Sequence, residues 1–69
     1  MTTQPIDDPK LAAAKVKEES GEVIKAVDSE SEERVAEEAA DVLYHLTVLL
    51  RTRGLELADA ERVLLDRRR

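Results

Sequence analysis

Apolar residues recur every three or four positions along most of this chain, which is the spacing of one face of an α-helix. The pattern predicts a first helix over residues 9–27, a second over about residues 32–52 and a shorter third over residues 58–67. The alternation of apolar and polar residues that is typical of a β-strand does not occur. The sequence therefore predicts an all-α protein.

Signals for helix ends lie between the periodic stretches. Asp8 directly before Pro9 is typical of an N-cap followed by the first helical residue. Ser29 or Ser31 can cap the second helix, and Gly54 stands where a C′ glycine would end that helix. The short polar connection between the first two helices favours a helical hairpin.

The length of 69 residues allows one domain at most. Residues 1–7 lack periodicity and are expected to be a flexible arm, so residues 8–69 form the single domain. With one aromatic residue and no cysteine, a monomer would have a small core and no disulfide to stabilise it. We expect a homodimer or higher homo-oligomer, in which the hairpin pairs with that of a second subunit as a four-helix-type bundle, with the third helix alongside.

The charge of the chain is −5, from 16 acidic and 11 basic residues. A net negative charge disfavours nonspecific binding to nucleic acid and to anionic membranes. The sequence has no apolar stretch of membrane-spanning length and no secretory signal pattern near its N-terminus. The absence of cysteine fits a reducing compartment, and we expect a cytoplasmic protein with neither a nucleic-acid nor a membrane partner.

Acidic residues interrupt the apolar stripes of the two long helices. Glu19 and Glu38 each fall within a stripe, with a valine three positions before and four positions after. Glu22 and Asp41 follow three residues later on the same faces. In an antiparallel hairpin the four carboxylates would converge, and their mutual repulsion would call for a cation. Oxygen ligands without His or Cys suit Mg²⁺ best, with Mn²⁺ possible.

An ordinary surface arrangement is the alternative interpretation of these acids. Because 16 of the 69 residues are acidic, some glutamates fall near an apolar stripe by chance. A small rotation of either helix would move Glu19 or Glu38 to the solvated edge. Lys15 and Glu19, four positions apart, could then form a surface ion pair. The residues alone leave both interpretations open.

Two segments that contain these acids resemble the EExxE and ExxD motifs of the MazG-like all-α nucleotide pyrophosphohydrolases. They are KVKEESGE at residues 15–22 and EEAADVLYHL at residues 37–46. The longer run EEAADVLYHLTVLL, residues 37–50, is most similar to the phosphoribosyl-ATP pyrophosphohydrolase family of histidine biosynthesis. The resemblance extends over about residues 15–67.

The resemblance implies a Mg²⁺-dependent hydrolysis between the α and β phosphates of a nucleotide, with release of pyrophosphate. In that family the second and third acids of EExxE and both acids of ExxD hold the metal, which are Glu19, Glu22, Glu38 and Asp41 here. A free carboxylate, Glu18 or Glu22, would accept the proton of the attacking water. The site residues implied by the resemblance are those that interrupt the apolar stripes, together with Glu18.

Basic residues and a histidine near these acids are weaker candidates. Lys15, Lys17 and Lys25 could contact substrate phosphates, although solvated surface lysine is the simpler interpretation of each. His45 lies four residues after Asp41 and could orient its carboxylate by a hydrogen bond. A histidine at the edge of the helix packing is the alternative.

Three functions are compatible with the sequence. The first is hydrolysis of phosphoribosyl-ATP to phosphoribosyl-AMP, and the second is hydrolysis of another nucleoside or deoxynucleoside triphosphate by the same acids. The third is a noncatalytic helical assembly module that retains the motif. Family members usually carry more residues before the KVxEE segment than the fourteen that precede Lys15 here. They also usually have a glycine at the position of Lys17. We therefore expect the metal-binding acids to match the family more closely than the substrate-recognition surface does.

Overall fold

The computed structural model describes residues 8–68, and the chain forms three α-helices there. They are α1 (Pro9–Ser29), α2 (Glu32–Arg51) and α3 (Leu57–Arg67). The described part contains no β-strand, so the predicted all-α class is confirmed. The expected N-terminal arm, residues 1–7, lies outside the described residues.

Side-chain caps begin the two long helices. The Asp8 carboxylate accepts hydrogen bonds from two backbone N–H groups of the first turn of α1, at 3.1 and 3.3 Å. The Ser31 hydroxyl accepts from the backbone N–H of Arg34 at 3.2 Å and therefore caps α2. The other candidate cap, Ser29, is the last residue of α1 and donates its hydroxyl to a carbonyl of that helix. Each cap satisfies N–H groups that the helix itself leaves without partners.

A glycine ends the second helix as predicted. Gly54 has a φ of 74°, in the left-handed region, and its N–H donates to the carbonyl of Arg51 at 3.0 Å. The N–H of Leu55 donates to the carbonyl of Leu50, also at 3.0 Å. These two hydrogen bonds define a Schellman motif with Gly54 at C′. Regular α-helical geometry stops at Arg51, and a tighter turn continues the chain to the glycine.

The connection of residues 30 and 31 turns the chain so that α2 runs back along α1, whereas α3 touches α2 at few points. Ala12 and Ala26 are the buried apolar residues of the described chain. The periodicity predicts an α1 stripe of Ala12, Val16, Val23 and Val27, and its end is wrong, because Val27 is 67% exposed and Ala26 is fully buried. The stripe advances by three residues after Val23 rather than by four, which follows from a helical period of 3.6 residues. Both buried residues are alanines, so the apolar interior of the described chain is small.

Within residues 8–68, every helix is too short or too polar to cross a lipid bilayer.

Candidate functional site

Three of the four predicted metal ligands meet between the long helices. Glu19 extends from α1, and Glu38 and Asp41 extend from α2. One carboxylate oxygen of each residue lies within 4.8 Å of the corresponding oxygens of the other two. Glu19 and Glu38 are half-buried, and Asp41 is exposed. We call these three residues the carboxylate cluster.

The remaining acids of the EExxE segment lie outside the cluster. Glu22 is half-buried one turn after Glu19, but its carboxylate does not belong to the three-residue group. The side chain of Glu18 is 62% exposed and forms an ion pair with Lys15 at 3.3 Å. Lys15 therefore pairs with Glu18. The surface ion pair between Lys15 and Glu19, which the sequence allowed as an alternative, is not formed. Two adjacent glutamates thus have different surroundings.

The donor set of the carboxylate cluster fits a hard divalent cation. In an octahedral Mg²⁺ site with bonds of about 2.1 Å, neighbouring oxygens are about 3 Å apart and opposite ones about 4.2 Å apart. The maximum separation of 4.8 Å in the cluster is close to this range. All three donors are carboxylate oxygens, which Mg²⁺ and Mn²⁺ accept, and the exposed side at Asp41 leaves room for water ligands.

Arg34, in the first turn of α2, connects the cluster to the turn between the helices. Its Nε donates to Glu30 at 3.3 Å, its Nη1 donates to Glu37 and its Nη2 donates to Glu38. The hydrogen bond to Glu37, followed by that to Glu30 and by the charge of Glu38, raises the pKa of Arg34 above its ordinary value. The Glu38 side chain is only 12% exposed.

Arg34 was not among the site residues predicted from the sequence, although a signal for it is present there. An arginine near the start of a helix, with an acid four residues before it and acids three and four residues after it, has three carboxylates within reach of its guanidinium group. Glu30, Glu37 and Glu38 occupy those three positions. The apolar stripes indicate only the acids that interrupt them. They give no prediction for a basic residue such as Arg34 at the edge of a stripe.

The weaker candidates are at or near the surface. Lys17 and Lys25 are exposed, and no ion pair involves either of them in the described part of the chain. His45 is half-buried, with its ring edge-on to that of Tyr44 at a centroid distance of 5.0 Å. Among residues 8–68, no hydrogen bond joins His45 to Asp41. The expected orienting contact to Asp41 is thus not formed in this structure.

Residues of α1 and α2 form an open apolar groove of about 410 Å³. Residues next to the three acids in the sequence contribute to it, so the cluster and the groove share the same stretch of the hairpin. Ile24 and Leu43 on its walls are 70% and 50% exposed. The groove is lined by Ser20, Val23, Ile24, Ala39, Val42 and Leu43.

Comparison with known proteins finds one matching family model and several similar proteins. A family model described as phosphoribosyl-ATP pyrophosphohydrolase matches residues 1–68. The phosphoribosyl-ATP pyrophosphatase of Pyrobaculum arsenaticum is 54% identical over 57 residues, which are 83% of this chain and 61% of the relative. That of Ignicoccus hospitalis is 50% identical over 59 residues, 86% of this chain and 58% of the relative.

A longer relative shows the same similarity. The histidine biosynthesis bifunctional protein HisIE of Xylella fastidiosa is 51% identical over 57 residues, 83% of this chain and 28% of the relative. The matched part of the chain thus spans about three fifths or less of the length of each of these relatives. No solved structure matches the chain.

Proposed function

The chain belongs to the phosphoribosyl-ATP pyrophosphohydrolase family, and from this premise we propose that it hydrolyses phosphoribosyl-ATP to phosphoribosyl-AMP and pyrophosphate in histidine biosynthesis. The observation that carries the proposal is the carboxylate cluster of Glu19, Glu38 and Asp41 between α1 and α2. Cleavage of an α–β phosphoanhydride requires positive charge beside the phosphates, and a cluster of carboxylates is suited to recruit it as a divalent cation.

We propose Mg²⁺ as the cation, with Mn²⁺ as a substitute, and the carboxylate cluster as its principal ligands. Glu22 is the fourth ligand proposed from the family motif, and it is half-buried one turn after Glu19 on the same helix. Bound Mg²⁺ supplies charge neutralisation for the phosphates and lowers the pKa of water. The half-buried Glu19 and Glu38 hold the inner side of the site, while exposed Asp41 leaves its outer side open to the nucleotide.

Glu22 is also the residue that we assign to accept the proton of the attacking water. It is half-buried, one turn from Glu19, and it forms no ion pair within residues 8–68. Glu18, the other candidate, faces solvent and is occupied by Lys15. A general base must lie within reach of the water that it deprotonates, so the position of Glu22 favours it over Glu18.

The partner that we propose besides the nucleotide is a second copy of this chain. Only two alanines are buried among the described residues, whereas Ile24, Leu43 and Tyr44 are half or more exposed. Pairing of two hairpins across the groove would cover this face and complete a four-helix bundle beside each carboxylate cluster. Sedimentation analysis is expected to give the mass of a dimer or larger oligomer. We also propose a cytoplasmic location, which fits a chain without cysteine.

Incubation of the protein with Mg²⁺ and a panel of nucleotides tests the reaction. Phosphoribosyl-ATP, ATP and several deoxynucleoside triphosphates are compared by the release of pyrophosphate. We expect turnover of phosphoribosyl-ATP and little of the others. Turnover of another nucleotide alone would instead support a pyrophosphohydrolase of different specificity, and no turnover of any would support a noncatalytic helical module.

Conservative variants test the site in the same assay. Glu38→Gln and Asp41→Asn are expected to lower kcat about 100-fold or more and to abolish stabilisation of the protein by Mn²⁺. Glu22→Gln is expected to lower kcat by a similar factor, and retained Mn²⁺ binding in that variant would identify Glu22 as the base rather than a ligand. Glu61→Gln, at an exposed position of α3, is the matched control and should keep wild-type activity.

A further inference from the structure

Arg34 makes contacts that the proposed reaction does not itself require. Three of its guanidinium nitrogens donate to three carboxylates, which belong to Glu30, Glu37 and Glu38. Glu30 is the C-cap residue of α1, so the contacts run from the turn between the helices into the carboxylate cluster. The guanidinium side chain is 48% exposed, whereas that of Glu38 is 12% exposed.

We propose that Arg34 is a positioning residue that holds the Glu38 carboxylate in the orientation needed to bind a divalent cation. The inference rests on the proposed metal site. A carboxylate has two oxygens, and Nη2 of Arg34 binds Oε2 of Glu38. No hydrogen bond within residues 8–68 involves Oε1 of Glu38, so its lone pairs are available to a cation shared with Glu19 and Asp41. Partners of this kind orient metal ligands and typically change metal affinity when they are removed.

The gain from this arrangement is that the ligand is ordered before the cation arrives. A glutamate side chain has several rotatable bonds, and restricting them costs conformational entropy. The contact with Arg34 restricts Glu38 in the metal-free protein, so that cost does not fall on metal binding. Glu30 and Glu37 restrict the guanidinium in turn, because Nε and Nη1 are both engaged.

Two other roles for Arg34 fit the contacts less well. A phosphate-binding arginine needs free donors directed towards the substrate, but three of the five guanidinium N–H groups, one on each nitrogen, are already bound to carboxylates. An ion pair that only stabilises the helix would contribute little, since the pairs of Arg34 with Glu30 and Glu37 are exposed to solvent and such pairs are weak. Neither role requires a contact with a side chain as little exposed as that of Glu38.

Charge and orientation have opposite effects on metal affinity, which makes the proposal testable. The positive charge of Arg34 repels a cation, so loss of the charge alone would strengthen metal binding. Loss of the orientation of Glu38 would weaken it. Solvent and salt screen the charge of the half-exposed guanidinium, whereas the orientation of a side chain does not depend on salt. The proposal requires the effect of orientation to be larger.

Titration of the full chain with Mn²⁺, followed by electron paramagnetic resonance of free Mn²⁺, measures this affinity without substrate. Arg34→Lys keeps the charge but loses the planar fork, and Arg34→Met loses both. We expect both variants to bind Mn²⁺ about tenfold more weakly than the wild type. The loss should be similar at about 0.05 M and about 0.5 M KCl. Unchanged affinity in Arg34→Lys with tighter binding in Arg34→Met would overturn the proposal.

Arg62→Met is the matched control, because Arg62 forms a comparable surface ion pair with Asp59 on α3 at 3.0 Å. It should bind Mn²⁺ as the wild type does, and helix content by circular dichroism should be equal in all variants compared. If the wild type itself binds no Mn²⁺, the proposed metal site and the role of Arg34 both fail. If the wild type binds and Glu38→Gln does not, but both Arg34 variants bind normally, only the role of Arg34 fails.

Discussion

The two glycines of this chain differ in whether the backbone requires a residue without a Cβ. Gly54 adopts a φ of 74° at the end of α2, a conformation that residues with a Cβ rarely adopt. Gly21 lies within α1, and a Cβ added there would meet no atom within 4 Å beyond the neighbouring residues and the backbone of its own helix. The backbone requires glycine at position 54, whereas nothing in the described chain requires it at position 21.

The same substitution at the two glycines is expected to change stability in opposite directions. Gly54→Ala should lower the free energy of unfolding by about 1–2 kcal/mol, because alanine is strained in the left-handed region. Gly21→Ala should raise it by about 0.5–1 kcal/mol, because alanine loses less entropy in a helix. Urea unfolding followed by circular dichroism measures both, and each variant serves as the control for the other. A change of the same sign in both would contradict the conformational argument.

Among the three helices, α3 depends most on interactions at its own ends, because it touches α2 at few points. The Asp59 carboxylate accepts the backbone N–H of Glu56 at 2.8 Å and a hydrogen bond from Arg62 at 3.0 Å. The N–H of Glu56, with a further contribution from Arg62, lowers the pKa of Asp59 below its usual 3.8. The ionised form of Asp59 therefore stabilises the start of α3.

The start of α3 is accordingly expected to weaken in acid. Since the pKa of Asp59 is lower in the folded helix than in the unfolded chain, its contribution is complete above 3.8 and is lost as the pH falls through the folded value. Amide hydrogen exchange in α3, compared between about pH 5 and about pH 2, measures this loss. Asp59→Asn should remove that part of the pH dependence, while Asp66→Asn, in the last turn of the same helix, should retain it. Equal pH dependence in wild type and Asp59→Asn would contradict this role.

The whole molecule is more extended and less buried than a self-sufficient domain of its size. Its radius of gyration is 14.0 Å, whereas a compact chain of this length would have about 11 Å. Large apolar side chains stay exposed on the hairpin, including Ile24, Val27 and Tyr44. An isolated chain with these properties would be marginally stable, so folding and association are expected to be coupled.

Disruption of the groove should therefore dissociate the assembly. Ile24→Glu places a charge on the exposed wall of the groove and is expected to shift the sedimenting species to a monomer with a lower Tm. The wild-type Tm should also rise with protein concentration. Leu65→Glu is the matched control, because Leu65 on α3 is similarly exposed at 64% but does not line the groove. A monomeric wild type, or dissociation by Leu65→Glu alone, would contradict pairing through this face.

The helices were predictable because their signals are local. Periodicity, together with the signals at Asp8 and Gly54, predicted the start of α1 and both ends of α2 to within one residue. These signals are local because caps depend on hydrogen bonds to neighbours in the chain. The buried face was less predictable near the end of α1, where Ala26 rather than Val27 packs inward. A stripe defined by residue type favours valine, but a close approach between helices favours the smaller side chain.

Sequence alone determined which acids share a helix face, because the angle between side chains around one helix axis depends only on their spacing. Glu19, Glu38 and Asp41 were among the candidates for that reason. Only the tertiary structure decided that these three oxygens lie within 4.8 Å while Glu22 stays outside their group, and that Arg34 binds Glu38. Distances across the hairpin depend on how closely two helices pack and in what register. The apolar periodicity of a single helix gives no information on either.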